Sequence, residues 1–430
     1  MLDTTIRENN IVASLVGETP LPRMVRIRQK LDHSCIDPLE IPMRVKKELE
    51  PMRERFKPGM RIAVTCGSRG IANIKEITRA ICDFIKSCSG EPFIIPAMGS
   101  HGGATAQGQR AVLAGYGITE ETMGCPILAT MDVVEVGRTA TGIPAYVDRN
   151  AYQADGIFLC GRVKAHTAFH GEYESGVIKM AVIGLGKQKG AQFLHVDGLS
   201  EFPVKIPAVA RVLFEKLNIV GGLAIAENAF DETFLLEGIK KEDIFGREPE
   251  ILKLAKKRMG CIFFDDIDVL VVDRMGKDIS GLGMDPNVTG RYCVSYMKAE
   301  KNVQHIAVLD LSDASHGNCN GIGIADVTTM RFAKKIRLDD TYPNVITSTV
   351  LDACKIPLIA HSDQLCIQAA LRTCNYYDRQ NPRIVRIQDT LHLEEIEISE
   401  GMLQEAQQNP YVQVLGEPYQ WPFNSKGDLW

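Results

Sequence analysis

Gly156-Ile-Phe-Leu-Cys160, followed by Gly161-Arg-Val-Lys-Ala-His166-Thr-Ala-Phe-His170-Gly-Glu-Tyr-Glu-Ser175-Gly-Val-Ile-Lys179, is the part of the sequence from which the architecture is read. The short apolar run predicts a buried parallel strand, and the polar residues from Arg162 onward fall just past its carboxyl end, where open α/β sheets bind their ligands. The segment continues through Gly184-Leu-Gly-Lys-Gln-Lys-Gly190 to His195 and holds three of the nine histidines. Glycines at 171, 176, 184, 186 and 190 exclude one long helix and predict short helical pieces joined by tight turns.

Upstream, Arg61–Cys66 reads as a strand, Gly67–Gly70 as a tight loop, and Ile74–Cys88 as a helix with apolar positions 74, 77, 81, 84 and 85 on one face. Phe93–Pro96, the loop from Met98 to Thr105 and the helix Ala106–Gly115 repeat the pattern, so the sheet is parallel with crossover helices. A helix is expected over 38–58, a hairpin around Thr141-Gly142, a helix over 203–217, a strand at 219–226 and a basic helix over 241–258. A boundary falls near Gly260. Beyond it, Ile267–Asp273 and Ile306–Asp310 read as strands, 326–336 and 362–373 as helices, 383–397 as a strand pair and 399–408 as a helix. The expected organisation is therefore two α/β domains with largely parallel sheets and an active-site cleft between them. Residues 1–259 form the N-terminal catalytic domain, 260–408 the C-terminal one, and the tail 409–430 packs back on the first.

Length and composition narrow the classes. A chain of 430 residues suits two or three domains at roughly 100–200 residues each. The formal net charge of −5, with dispersed Lys and Arg, gives no basic face for nucleic acid. No segment approaches the roughly 18–20 apolar residues of a membrane span, and the N-terminus has no signal-peptide pattern. The twelve cysteines are scattered in apolar contexts without CxxC pairs, so buried free thiols in a reducing cytoplasm are expected. No Walker A or early G-x-G-x-x-G order occurs, which leaves a phosphate loop or a dinucleotide site unsupported.

Several side chains carry chemistry. Lys179 lies among Val177, Ile178, Met180 and Ala181, surroundings that would desolvate its amine and leave it available as a nucleophile or acylation site. Its plainer reading is a solvated helix lysine. His195, in Gln192-Phe-Leu-His, is either a hydrogen-bonded core residue or a neutral imidazole ligand for a soft metal. His101, between glycines in a strand-to-helix loop, suits a general base near neutrality. Arg69, at another strand's end, can hold a carboxylate with two parallel hydrogen bonds.

In order and spacing these residues resemble the nickel-pincer-nucleotide-dependent lactate racemases and their 2-hydroxyacid racemase and epimerase relatives. Ser175-Gly176-Val177-Ile178-Lys179 has the form of the family's Ser-Gly-x-x-Lys motif, and His195 follows sixteen residues after the lysine. Gly99-Ser100-His101-Gly102-Gly103 is a second match upstream. The resemblance spans roughly residues 60–290. It implies that Lys179 is joined covalently to the cofactor, a pyridinium-3,5-bisthiocarboxylic acid mononucleotide carrying nickel, and that His195 ligates the metal. Lys187, with Lys189, would meet its single phosphate. It further implies that Arg69 clamps the substrate carboxylate while His101 and a second histidine act from opposite faces.

Family members place that second histidine ten residues before the lysine. His166 and His170 stand thirteen and nine before it; His166 is favoured because it directly succeeds the strand end, with His170 in reserve. Two other positions depart from the family. Cys66 stands where its acid precedes Arg69, and Thr289, Gly290 and Cys293 replace a Tyr-Gln pair and a lysine. The loop from Lys277 through Asp285 and Asn287 to Arg291 is expected to touch substrate through Lys277, Asn287, Thr289 and Arg291, and to suit a larger, more hydroxylated acid.

The function so implied is an isomerase, a racemase or C2-epimerase of a 2-hydroxyacid, with sugar acids among the candidates. It would work by reversible hydride transfer through a transient 2-keto acid. The alternatives are a nicotinamide-dependent 2-hydroxyacid oxidoreductase and a non-catalytic cofactor- or metal-binding protein. Only a small-molecule partner is expected, without nucleic acid or membrane; a homo-oligomer is left open.

Overall fold

The computed structural model describes residues 11–68, 70–298 and 301–430. The chain is mixed α/β with largely parallel sheets, and its described residues divide into two compact units: His33–Met259, and Gly260–Trp430 together with residues 11–32. The first strand, β1 (Met24–Gln29), therefore belongs with the C-terminal part of the chain. Its composition explains the placement: Val25 and Ile27 are buried while Arg26 and Arg28 face outward, the alternation of a half-buried strand.

In the unit His33–Met259, β2 (Arg61–Cys66), β3 (Glu91–Pro96), β6 (Gly156–Arg162), β7 (Ile219–Glu227) and β8 (Thr233–Lys240) form one sheet. Its order is β3-β2-β6-β7-β8, parallel except for antiparallel β8. Between β3 and β6 lies the expected hairpin, β4 (Val133–Arg138) and β5 (Pro144–Asp148). The apolar runs of β6 and β7 are buried on both faces, as parallel strands between helices must be. Chain order runs outward from β2 to β3 and then returns to β6 on the other side of β2. The topological switch point thus lies between β2 and β6, and a ligand crevice belongs outside their carboxyl ends. Those ends emit the loops bearing Ser68 and residues 163–176.

In the other unit, β9 (Asp266–Met275), β10 (Asn302–Leu311), β11 (Val327–Thr329), β12 (Leu358–Ala360), β13 (Ile384–Ile387), β14 (Glu395–Ser399) and β15 (Val412–Val414) join β1. The sheet order is β12-β11-β10-β9-β13-β14-β1-β15. The five strands from β12 to β13 run parallel and the rest antiparallel. The helix expected over 326–336 starts as β11 and becomes helical only at Met330–Lys335, because β-branched Val327, Thr328 and Thr329 continue the ladder beside β10. The tail packs within this unit: β15 pairs with β1, and the Trp421 indole donates to Pro22 O at 2.9 Å. Among the described residues no helix is long and apolar enough to cross a membrane, and the twelve cysteines are free thiols.

Candidate active site

The loop after β6 is built around one carboxylate. Glu174 is buried, and it accepts from the His166 amide at 2.6 Å, the Gly171 amide at 3.2 Å and the Lys256 ammonium at 2.6 Å. His170 Nδ1 lies 3.2 Å from both of its oxygens. Burial alone would raise this carboxyl, but His170, Lys256 and the His166 amide together hold it below its ordinary value. A second carboxylate organises the helix start that carries Lys179. Glu248, reaching in from the helix Ile244–Arg258, accepts from the Ile178 amide at 3.0 Å at the start of the short helix Val177–Lys179. Its burial pushes the carboxyl up to about 7.

That contact explains the glycine of the Ser-Gly-x-x-Lys sequence. A Cβ at Gly176 would sit 2.4 Å from Glu248 Cδ, so only glycine lets the carboxylate reach the helix start. After Lys179 the backbone widens into a π-turn, Met180–Gly184, with Leu185 N bonded to Met180 O at 3.0 Å. Such a turn resets the direction in which the next helix, Lys187–His195, sets out.

Lys179 and His195 converge. The Lys179 ammonium lies 5.4 Å from the centroid of the Phe169 ring, which meets Phe202 edge-on at 5.3 Å. His195 packs edge-on against the same Phe202 at 4.8 Å, and the His166 ring lies 4.2 Å from Phe169. His195 Nδ1 donates to Ala191 O at 2.6 Å, so the neutral ring keeps its lone pair on Nε2. Burial depresses its pKa first, the Ala191 bond raises it in part, and the nearby charge of Lys179 lowers it again. A half-buried amine and a neutral imidazole sharing one aromatic floor fit a tethered planar group with a soft metal. Among the described residues no group of three His, Cys, Asp or Glu could hold a metal ion, so His195 stands as a single donor.

His101 caps the turn after β3, its Nδ1 2.5 Å from Ser68 Oγ on the neighbouring β2 loop. Gly99 takes φ +59°, and a Cβ there would press on Ile183 at 3.3 Å, so the His101 loop rests directly on the π-turn. Buried Gln109 fixes that loop from its own helix, donating to Gly99 O at 2.9 Å and His101 O at 3.3 Å.

The same glutamine overturns the reading of Lys187. This lysine is fully buried; its ammonium donates to Pro96 O and to Gln109 Oε1 at 3.0 Å, and forms an ion pair with Asp148 Oδ2 at 3.1 Å. With the side chain fully buried and its charge paired inside the protein, it does not reach a phosphate. Lys189 lies over the Tyr146 ring at 4.7 Å. Arg291 is likewise structural. Its guanidinium holds Asp326 and the carbonyls of Gln304 and Val303, the last at 3.1 Å, tying β10 to the start of β11.

Arg69 lies outside the described residues. Cys66, where the family has an acid, is buried with its thiol pushed up to about 12, so it stays neutral and replaces no carboxylate. In the other unit the Lys277 ammonium donates to Gly281 O at 2.6 Å, and Asn287 is set by Asp285 Oδ1 at 2.8 Å and the Tyr292 hydroxyl at 3.0 Å. Thr289 is fully buried, and its hydroxyl has no hydrogen-bond partner among the described residues. Sequence reading missed Glu174, Glu248, Gln109 and Asp148. No local pattern marks the contacts of Glu248 and Asp148 with Ile178 and Lys187, which come from distant segments, whereas Glu174 and Gln109 also bond within ten residues, to His166, His170 and Gly171 and to Gly99 and His101.

Residues 24–201 match the family model described as the lactate racemase N-terminal domain, a span that includes His101, His166, His170, Lys179 and His195. Among solved structures, the lactate racemase apoprotein of Thermoanaerobacterium thermosaccharolyticum aligns over 86% of this chain and 99% of its own, at 10% identity and a TM-score of 0.47. No curated protein matches the chain.

Proposed function

We propose, starting from the match of residues 24–201 to the lactate racemase N-terminal domain, that the protein is a racemase or C2-epimerase of a 2-hydroxyacid. Its cofactor is a nickel-pincer nucleotide tethered to Lys179. The observation that carries this reading is the convergence of Lys179 and His195 on the Phe169–Phe202 ring pair. Lys179 would hold the nucleotide covalently and His195 Nε2 would ligate its nickel; when bound, the group supplies an acceptor for hydride from C2 of the acid.

The chain's own residues supply the rest. Arg69 binds the carboxylate. His101, oriented by Ser68, takes the hydroxyl proton of one stereoisomer. A histidine of the 163–176 loop does so for the other, because each isomer presents its hydroxyl from its own side.

The test uses protein made in a host that synthesises the cofactor. Mass spectrometry is expected to find an adduct on wild-type protein that Lys179→Ala lacks. His101→Ala is expected to keep adduct and nickel while losing turnover by roughly 10²–10⁴-fold. Screening hydroxy and sugar acids in deuterated solvent should give inversion at C2 with its hydrogen retained. An unmodified Lys179 together with no inversion of any acid would end this reading.

A further inference from the structure

We propose that Glu174 is a positioning residue that fixes His170 with its proton on Nδ1, making His170 rather than His166 the acid–base group that works opposite His101. This rests on the racemase reading above. The deciding feature is which ring nitrogen carries hydrogen. Glu174 gathers two backbone amides, the His170 ring and the Lys256 ammonium around a fully buried carboxylate. Four donors around one carboxylate keep it ionised, and an ionised carboxylate only accepts. His170 Nδ1 must therefore donate, which leaves the lone pair of the neutral ring on Nε2.

His166 has the opposite arrangement. Its Nδ1 accepts from the Ala168 amide at 3.1 Å, so the hydrogen of the neutral ring is on Nε2. In that state it gives a hydrogen bond but takes a proton only by surrendering the Ala168 bond. The two histidines that compete in the sequence are thus separated by their second nitrogens.

In the proton-transfer step the substrate O–H bond breaks, the electron pair stays on oxygen, and an N–H bond forms at His170 Nε2. The imidazolium so produced lies against the Glu174 carboxylate, which Lys256 on the helix Ile244–Arg258 balances from its other side. An ion pair placed before the proton arrives lowers the cost of the charge that the step creates.

The test reads the tautomer directly, in full-length apo protein labelled with 15N-histidine, with the pH raised until the 15N shifts are those of a neutral ring. The His170 signals are assigned by their loss in His170→Ala. Wild-type protein is expected to show the Nδ1–H form. In Glu174→Gln the charge that fixes the proton on Nδ1 is gone, and one of the two oxygen positions, each 3.2 Å from Nδ1, becomes an NH2 that only donates, so His170 should shift toward the Nε2–H form. In loaded enzyme Glu174→Gln should keep its adduct on Lys179 and lose roughly 10²–10⁴-fold in inversion rate. Adding His170→Ala to that variant should cost no more than a few-fold further.

A wild-type His170 in the Nε2–H form overturns the assignment whatever the enzyme does, and so does an unchanged tautomer in a folded Glu174→Gln. If that variant does not fold, the wild-type spectrum decides alone. Protein with the expected tautomer that inverts no acid counts against the racemase reading only.

Discussion

Lys187 places a full positive charge inside the protein, and the result is a fixed position for His101. Its partners Gln109 and Asp148 come from separate elements, and its φ of +54° shows the backbone bent to deliver it. Burial lowers the lysine and raises the aspartic acid, while each opposes the other's shift. Lys187→Met should leave Asp148 buried without its cation and cost about 3–5 kcal/mol, read as a lowered urea midpoint. A change under about 1 kcal/mol would mean that the pair carries little.

Glu248 makes a prediction in pH. Its folded-state pKa, about 7, lies above the ordinary 4.5, so the folded protein holds this proton more tightly than the unfolded chain. The stability this adds is complete below about pH 4.5 and is lost as pH rises through about 7. Against Glu248→Gln, the wild-type urea midpoint should therefore fall relative to the variant between about pH 5 and about pH 8. A constant difference would show that the carboxyl does not titrate there. The sequence made Lys179 and His195 legible because their spacing is local. It misled at Lys187, because a lysine between glycines reads as a solvent-facing loop until an acceptor 78 residues away is known.

The element that presents Lys179 is short and has few hydrogen bonds of its own, so it depends on what holds its start. Gly176→Ala would drive a methyl into the Glu248 carboxylate. The expected result is a lower melting temperature and, on the proposed function, a loss of adduct on Lys179, and Glu248→Ala in the same chain should restore part of both by making room. If Gly176→Ala alone is neutral, the steric account of the motif is wrong. Gly176 lies at φ 173°, extended backbone that any residue adopts, so the penalty is contact and not strain.

Elements of this kind differ in legibility. Long strands buried on both faces, β6, β7 and β9, announce themselves as apolar runs. The three-residue β11, β12 and β15 carry no such signal, since pairing with a neighbour creates them. β1 had a signal that went unread: Arg26 and Arg28 alternate with apolar residues as Glu395 and Glu397 do in β14, and in the sheet Arg28 pairs with Glu395 and Arg26 lies 3.8 Å from Glu397.

Over its full length the chain passes from one unit to the other twice, after Asp32 and before Gly260. Both tryptophans, Trp421 and Trp430, lie in the unit that holds the chain's ends, with Trp430 under Arg331 at 4.5 Å. Tryptophan fluorescence therefore reports on that unit alone, whereas far-ultraviolet circular dichroism reports on both. Deleting residues 410–430 removes β15 and the Trp421 bond to Pro22, leaving β1 paired on one side only. The deletion should lower the dichroism-detected melting of the end-bearing unit by several degrees and leave a second transition, that of residues 33–259, unmoved. A single transition shifting as a whole would show that the two units unfold together. The Gly260 boundary was legible from the change of pattern there. The return of the N-terminus was not, because nothing local in β1 states which of two sheets it will join.

The position of β1 between β14 and β15 also sets a schedule for synthesis. A strand made before residues 33–259 has to wait for neighbours made after them, while everything from His33 to Met259 can fold in between. Throughout that interval a nascent chain trails an amphipathic ribbon with bare amide edges. Until β14 and β15 exist, the edges of β1 are open to any other unpaired strand, so chains lacking those two strands are expected to associate through it.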